Sequence, residues 1–136
     1  IDVFFKIKAL HYQDIHIILH TFEYGRKPSA ELEKYCSKVY YYPRSLSLAK
    51  QFSTLPFIVK TRNVSTLLQN LKKDNYPILF EGLHTCYFLN HPDLAKRKKY
   101  IRMHNVEWEY YAHLAKMEND FFKKTYFKLE SEKLRF

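Results

Sequence analysis

Two short apolar runs, each closed by a polar turn and followed by a helical pattern, constrain this chain more than any other feature. The first is Pro-Ile-Leu-Phe-Glu-Gly-Leu-His-Thr, Pro77 to Thr85, and the second is Lys-Tyr-Ile-Arg-Met-His-Asn-Val-Glu-Trp-Glu-Tyr-Tyr, Lys99 to Tyr111. A short apolar run bounded by turn signals has the character of a buried parallel strand. Open α/β sheets place their ligands at the carboxyl ends of such strands. The pattern therefore predicts that Glu81, His84, His104, Asn105 and Glu107 gather along one edge of a sheet.

The rest of the chain repeats the alternation. Val3, Phe4, Ile7 and Leu10 have helical spacing over Ile1 to His11, and the β-branched stretch from Asp14 to Thr21 predicts a strand. Gly25 supplies a turn in Phe22-Glu23-Tyr24-Gly25-Arg26, and Ser29 is placed to cap a short helix over Ala30 to Tyr35. Lys38 to Tyr42 predicts a strand closed by Pro43. Arg44 to Lys60 is ambiguous, with Leu46, Leu48, Phe52, Leu55 and Phe57 around Pro56, and suits one or two helical turns. A helix capped by Asn63 or Ser65 runs to Lys73 on a stripe of Leu67, Leu68 and Leu71. Strands at Ile78 to Phe80 and Tyr100 to Met103 frame a helix from His84 to Ala95 that Pro92 interrupts near Asn90. Val106 to Met117 carries Trp108, Tyr111 and Ala115 on one stripe. Asp120 caps a last helix with Phe122, Tyr126, Leu129 and Phe136 on one face; Phe127 and Leu134 lie off that stripe, which suggests a second buried face, and the chain stops within the helix. Strands alternating with helices predict a Rossmann-like three-layer α/β/α domain around a mostly parallel sheet. Its 136 residues suffice for a single domain with one core.

Composition narrows the function classes. Hydrophobic residues make up 46% and charged residues 27%, which excludes disorder. Only two glycines are present, which leaves no glycine-rich phosphate loop in this stretch. There is no P-loop, no Gly-x-Ser-x-Gly elbow and no Cys-x-x-Cys. Cys36 and Cys86 lack metal spacing and are expected to be buried free thiols of a reducing compartment. His11, His16, His20, His91 and His113 have no ligand spacing either, so no metal is expected. No apolar run is long enough to span a bilayer and no signal peptide is visible. The formal net charge of +9 admits nucleic acid, anionic lipid or phosphorylated partners. The cluster Lys96-Arg97-Lys98-Lys99 reads first as a solvated helix end. The aromatics fall in apolar periodic segments, where they build core in place of a base-stacking surface, so nucleic acid is not expected.

Each polar turn has two readings. His104-Asn105 could aim hydrogen bonds at a sugar hydroxyl or a phosphate beside a helix N-terminus. Equally, Asn105 could cap that helix while His104 bonds a loop. Gly82 could let backbone approach a ligand, with Glu81 accepting from a hydroxyl and His84 donating to a phosphate. Otherwise it is a turn glycine with two satisfied neighbours. Glu107 and Glu109 occupy a first helical turn, where the dipole favours acids without any ligand.

The run Arg102-Met103-His104-Asn105-Val106-Glu107-Trp108-Glu109-Tyr110-Tyr111 resembles the amino-terminal, acceptor-side domain of family 4 retaining glycosyltransferases of the GT-B fold. Phe80-Glu81-Gly82-Leu83-His84-Thr85 and Phe22-Glu23-Tyr24-Gly25-Arg26 are similar to further pieces of a bacterial subgroup. The resemblance implies hexose transfer from a nucleotide sugar to a glycan or lipid-linked acceptor, with no other cofactor and no metal. It implies that His104 contacts the donor sugar near its reacting carbon and that Asn105 lies beside it at the cleft. Glu81, Gly82, His84, Asn105 and Glu107 are then substrate-binding residues, with Glu81 and His84 on the acceptor side. The family's first strand, its glycine loop and its nucleotide-sugar half are absent from this sequence, so the fragment alone is expected to be inactive. The partners implied are that second half and the two substrates, in the cytoplasm; the basic, aromatic-rich character of the chain adds the expectation of a lipid-linked acceptor and a peripheral membrane contact. The rival expectation is a non-catalytic α/β module that binds a nucleotide or a phosphorylated ligand.

Overall fold

The computed structural model describes residues 2–25, 28–47 and 53–135. Arg26, the stretch 48–52 within the ambiguous segment, and Phe136 lie outside the described residues. The chain is mixed α/β. Its elements are α1 (Asp2–His11), β1 (Ile18–Phe22), α2 (Ala30–Glu33), β2 (Lys38–Tyr42), α3 (Phe57–Lys60), α4 (Ser65–Leu71), β3 (Ile78–Glu81), β4 (Lys99–Arg102), α5 (Glu107–Met117) and α6 (Phe121–Lys133). The described strands form two parallel pairs, β1 with β2 and β3 with β4. The chain divides into two compact units, one holding residues 1–45 and 64–73, the other 46–63 and 74–136.

In the first unit β1 and β2 pair in register from Ile18 opposite Lys38 to Phe22 opposite Tyr42. β2 forms because Val39 and three consecutive tyrosines suit a pleated, half-buried surface, and Pro43 ends it. His20 stacks on Tyr40 at 5.1 Å and on Tyr42 at 5.9 Å. Tyr42 is 3% exposed, and its hydroxyl bonds His20 Nδ1 at 2.8 Å and accepts from Asn70 Nδ2 at 2.9 Å. Those bonds tie α4, with Leu67 and Leu71 buried, to the strand pair. The expected caps differ at two helices. Ser29 holds the N-cap position of α2 but makes no side-chain cap bond; its amide donates to the Tyr41 hydroxyl at 3.0 Å. Val64, not Asn63 or Ser65, precedes α4.

In the second unit β3 and β4 pair from Ile78 opposite Lys99 to Glu81 opposite Arg102. Phe80 is buried, whereas Leu79 and Tyr100, opposite each other on the other face, are exposed. These strands are therefore not buried on both faces as their apolar character implied. The segment between them is not the expected α-helix. It is two 3₁₀ stretches, Leu83–Phe88 and Pro92–Leu94, held by bonds such as Leu89 N to Cys86 O at 3.0 Å and His91 N to Phe88 O at 3.1 Å. Pro92 has no amide to give an α-helical ladder, and the chain restarts there with the His91 ring accepting from Asp93 N.

The basic cluster is a solvated helix end only in part: Lys96 and Lys98 are exposed, but Arg97 and Lys99 are engaged. The Arg97 side chain is 7% exposed and pairs with Asp74 Oδ1 at 2.9 Å. It donates further to Asp74 O at 2.9 Å and to Tyr76 O, from Nε at 2.7 Å and again from Nη2. Lys99 Nζ donates to Leu89 O at 2.8 Å. Arg97 thus joins the lead-ins of β3 and β4, and Lys99 ties the start of β4 to the end of the first 3₁₀ stretch.

α5 and α6 form an antiparallel hairpin. Asp120 caps α6 as expected, accepting from Lys123 N at 2.8 Å. The buried face of α6 is the second of the two expected, the one that carries Leu134. Phe122 and Leu129 are exposed, while Glu130, Ser131 and Leu134 are buried. Glu130 Oε2 accepts from Phe57 N, the first amide of α3, at 2.5 Å, and Oε1 pairs with Lys133 at 2.8 Å. Ser131 Oγ donates to Trp108 O at 2.8 Å. The helix ends at Lys133, with Leu134 as its C-cap.

Candidate functional site

The polar turns that follow β3 and β4 converge. The strand pairing places Glu81 opposite Arg102, and Gly82 N extends the ladder to Arg102 O at 2.8 Å. Glu81 Oε2 lies 3.2 Å from His104 Nε2 and 3.4 Å from Arg102 Nη1. The carboxylate is thus held between an imidazole and a guanidinium, with its side chain 19% exposed and that of His104 26%. The Glu81 contact fixes which ring nitrogen of His104 faces the protein. With Nε2 committed to the carboxylate, Nδ1 is the nitrogen left to meet another group.

Gly82 makes this convergence possible. Its φ is +88°, a backbone conformation that side chains rarely adopt. A Cβ built there would lie 2.7 Å from His84 Cε1, 2.8 Å from His84 Nδ1 and 3.2 Å from His104 Cδ2. Two imidazoles therefore close on the same Cα from residues twenty apart in the chain. Beneath them, Thr85 Oγ1 donates to Gly82 O at 2.9 Å, and the Cys86 thiol approaches the same oxygen at 3.7 Å. Burial pushes the Cys86 thiol above its ordinary range. Cys36 is a buried free thiol, also raised by burial, and Cys86 is free but only half-buried.

Of the residues singled out in the sequence, Glu81, Gly82, His84 and His104 come together. Asn105 is exposed and does not cap α5; Val106 holds that position without a side-chain cap bond. Glu107 sits in the first turn of α5, where the dipole alone favours it. The contacts that tie the cluster include neither. Arg102 is the member the sequence reading left out. What marks it is the strand register, which sets a base opposite an acid at the ends of β3 and β4. No group of three His, Cys, Asp or Glu among the described residues could hold a metal ion. No helix among them is long and apolar enough to cross a membrane.

The arrangement can position a polar, hydroxyl-rich or anionic group. Two imidazoles and one guanidinium carry donors and Glu81 is an acceptor, while Gly82 itself is buried under the two rings. No protein-family model matches the chain, and no solved structure matches it significantly. An uncharacterized 44.6 kDa protein in the cps region of Klebsiella pneumoniae is 30% identical over 135 residues. That alignment takes in 93% of this chain and 34% of that protein, so the chain spans about a third of the length of the curated relative it matches.

Proposed function

We propose that this chain supplies the acceptor-side part of a retaining hexosyltransferase of the GT-B type that acts in polysaccharide assembly. In this reading the two parallel pairs belong to one Rossmann-like domain, and a second, nucleotide-sugar-binding half completes the enzyme. The observation that carries it is the Glu81–His104 pair beside Gly82 and His84 at the carboxyl ends of β3 and β4. A carboxylate that orients an imidazole leaves one ring nitrogen fixed in direction, which suits a group that must meet a sugar hydroxyl in one pose. The similarity to a protein of a capsule (cps) region supports the polysaccharide context.

His104 would position the transferring sugar and strengthen its hydrogen bond as charge develops at the reacting carbon. Glu81 would hold the ring, and His84 would face the acceptor. Asn105 and Glu107 would contribute only at the rim. The test is a screen of the full-length protein against nucleotide sugars, followed by His104→Ala in the active pairing. Turnover should fall on the order of a hundredfold with an unchanged circular-dichroism spectrum. Full turnover in the variant removes His104 from the reaction. Binding of nucleotide sugar without any transfer favours the non-catalytic module.

A further inference from the structure

We propose that the tip of the α5–α6 hairpin, with the groove behind it, docks on an anionic lipid bilayer. This stands independently of the sugar-transfer reading. The tip is apolar and uncovered. Met117 ends α5 at 81% exposed, and Phe121 and Phe122 open α6 at 73% and 81%. The two phenyl rings sit edge to face at 5.8 Å. Large apolar side chains this exposed, grouped at one turn, mark a surface that meets another apolar phase.

The charges around the tip select the phase. Lys116, Lys123 and Lys124 flank it, and Lys128 follows one turn later on the Lys124 face. None of these four is paired with an acid among the described residues. The acids of the turn are engaged with backbone. Glu118 Oε1 accepts from the amides of Asn119 and Asp120 at 3.0 Å, and Asp120 caps Lys123 N. Behind the tip runs a groove of about 400 Å³ floored by Ala112, Ala115 and Ser131 and edged by Lys116, Lys124 and Lys128. At its far end Arg135 lies over Trp108 at 4.6 Å and pairs with Glu132 at 3.6 Å.

Phenyl and thioether groups in front of a lysine collar match the interface of a membrane. The apolar groups enter the acyl boundary while the ammonium groups stay at the level of the phosphates. Small residues on the groove floor let a headgroup phosphate come between Lys124 and Lys128. A protein partner would have to match both the apolar tip and the collar with its own side chains, whereas a bilayer with anionic headgroups offers both at once.

The test is flotation of the full-length protein with vesicles of phosphatidylcholine alone and of phosphatidylcholine mixed with phosphatidylglycerol. Partition should be marked on the mixed vesicles, weak on the neutral ones, and reduced by added salt. The F121S/F122S double variant should lose roughly tenfold or more of that partition. K124Q/K128Q should lose a similar factor on mixed vesicles only. All four positions are exposed, so folding should be unaltered by circular dichroism. Absence of partition, equal partition on both vesicle types, or partition insensitive to F121S/F122S overturns the proposal. Self-association that disappears in F121S/F122S also overturns it, since a second copy would then cover the tip.

Discussion

Glu81 Oε2 lies 3.2 Å from His104 Nε2, across the ends of two parallel strands. The contact joins residues 81 and 104 because β3 and β4 pair in register up to the residue before each turn. Glu81→Ala should leave the ring without its partner and free to turn. In the active full-length protein kcat should fall about tenfold to a hundredfold, as expected for loss of orientation without loss of the group itself. The imidazole ¹⁵N shifts of His104 give a readout that needs no substrate. They should move in Glu81→Ala and stay near the parent value in His84→Ala. Shifts indifferent to Glu81 would mean that the pair does not exist in solution.

Gly82 is restricted both by its backbone and by its neighbours. Alanine there adds strain at a φ of +88° and drives a Cβ to 2.7 Å from the His84 ring. The backbone cost alone is about 1–3 kcal/mol. Urea denaturation of Gly82→Ala should show a loss of at least that size. Gly25→Ala is the control, because its φ is +73° but nothing lies within 4 Å of the added Cβ. The difference between the two variants measures the crowding by the imidazoles. Equal losses would show that the rings do not close on residue 82.

How far the sequence revealed this arrangement depends on where the deciding partner lies. Val39 to Tyr42, and Ile78 to Phe80, are short runs of β-branched, aromatic or leucine side chains fenced by proline and charge, so the strands could be placed almost to the residue. Glu81, Gly82, His84 and His104 follow directly from strand ends, and their convergence could be anticipated. Arg102 could not be assigned to them without the strand register. The last helix misled for a related reason. Apolar periodicity favoured Phe122 and Leu129, yet the packed face contains Glu130 and Ser131. Those polar groups are buried because Phe57 N and Trp108 O satisfy them, and no count along α6 reveals partners 73 and 23 residues away. Arg97 was hidden in the same way within a run of four cations.

Arg97 therefore makes a stability prediction. Its guanidinium spends its donors on Asp74 and on the carbonyls of Asp74 and Tyr76, in a fork that an ammonium cannot reproduce. Arg97→Lys should cost roughly 2 kcal/mol in urea denaturation, and Arg97→Ala more, since Asp74 then keeps a partly buried charge met only by the Tyr76 amide. Lys98→Ala, at an exposed neighbour, should be within about 0.5 kcal/mol of the parent. A loss at Lys98 equal to that at Arg97 would mean that the cluster acts as a net charge and not through one clamp.

The chain should also lose stability in alkali, by a mechanism that its buried phenols set. Burial raises Tyr42, Tyr111 and Tyr126 above the ordinary phenol value of 10.0, and at Tyr111 the neighbouring Tyr126 and Glu130 add to the effect. The folded state then keeps protons that the unfolded chain gives up. With more protons bound in the folded form, unfolding free energy falls as pH rises through 10.0, and it is insensitive to these groups below that value. The two thiols act in the same direction from their ordinary value of 9.0. Urea midpoints measured from about pH 8 to about pH 11 should decline progressively across that window. Tyr111→Phe removes the most strongly shifted phenol and should flatten the decline. An unchanged slope in that variant would show that Tyr111 ionises as readily folded as unfolded.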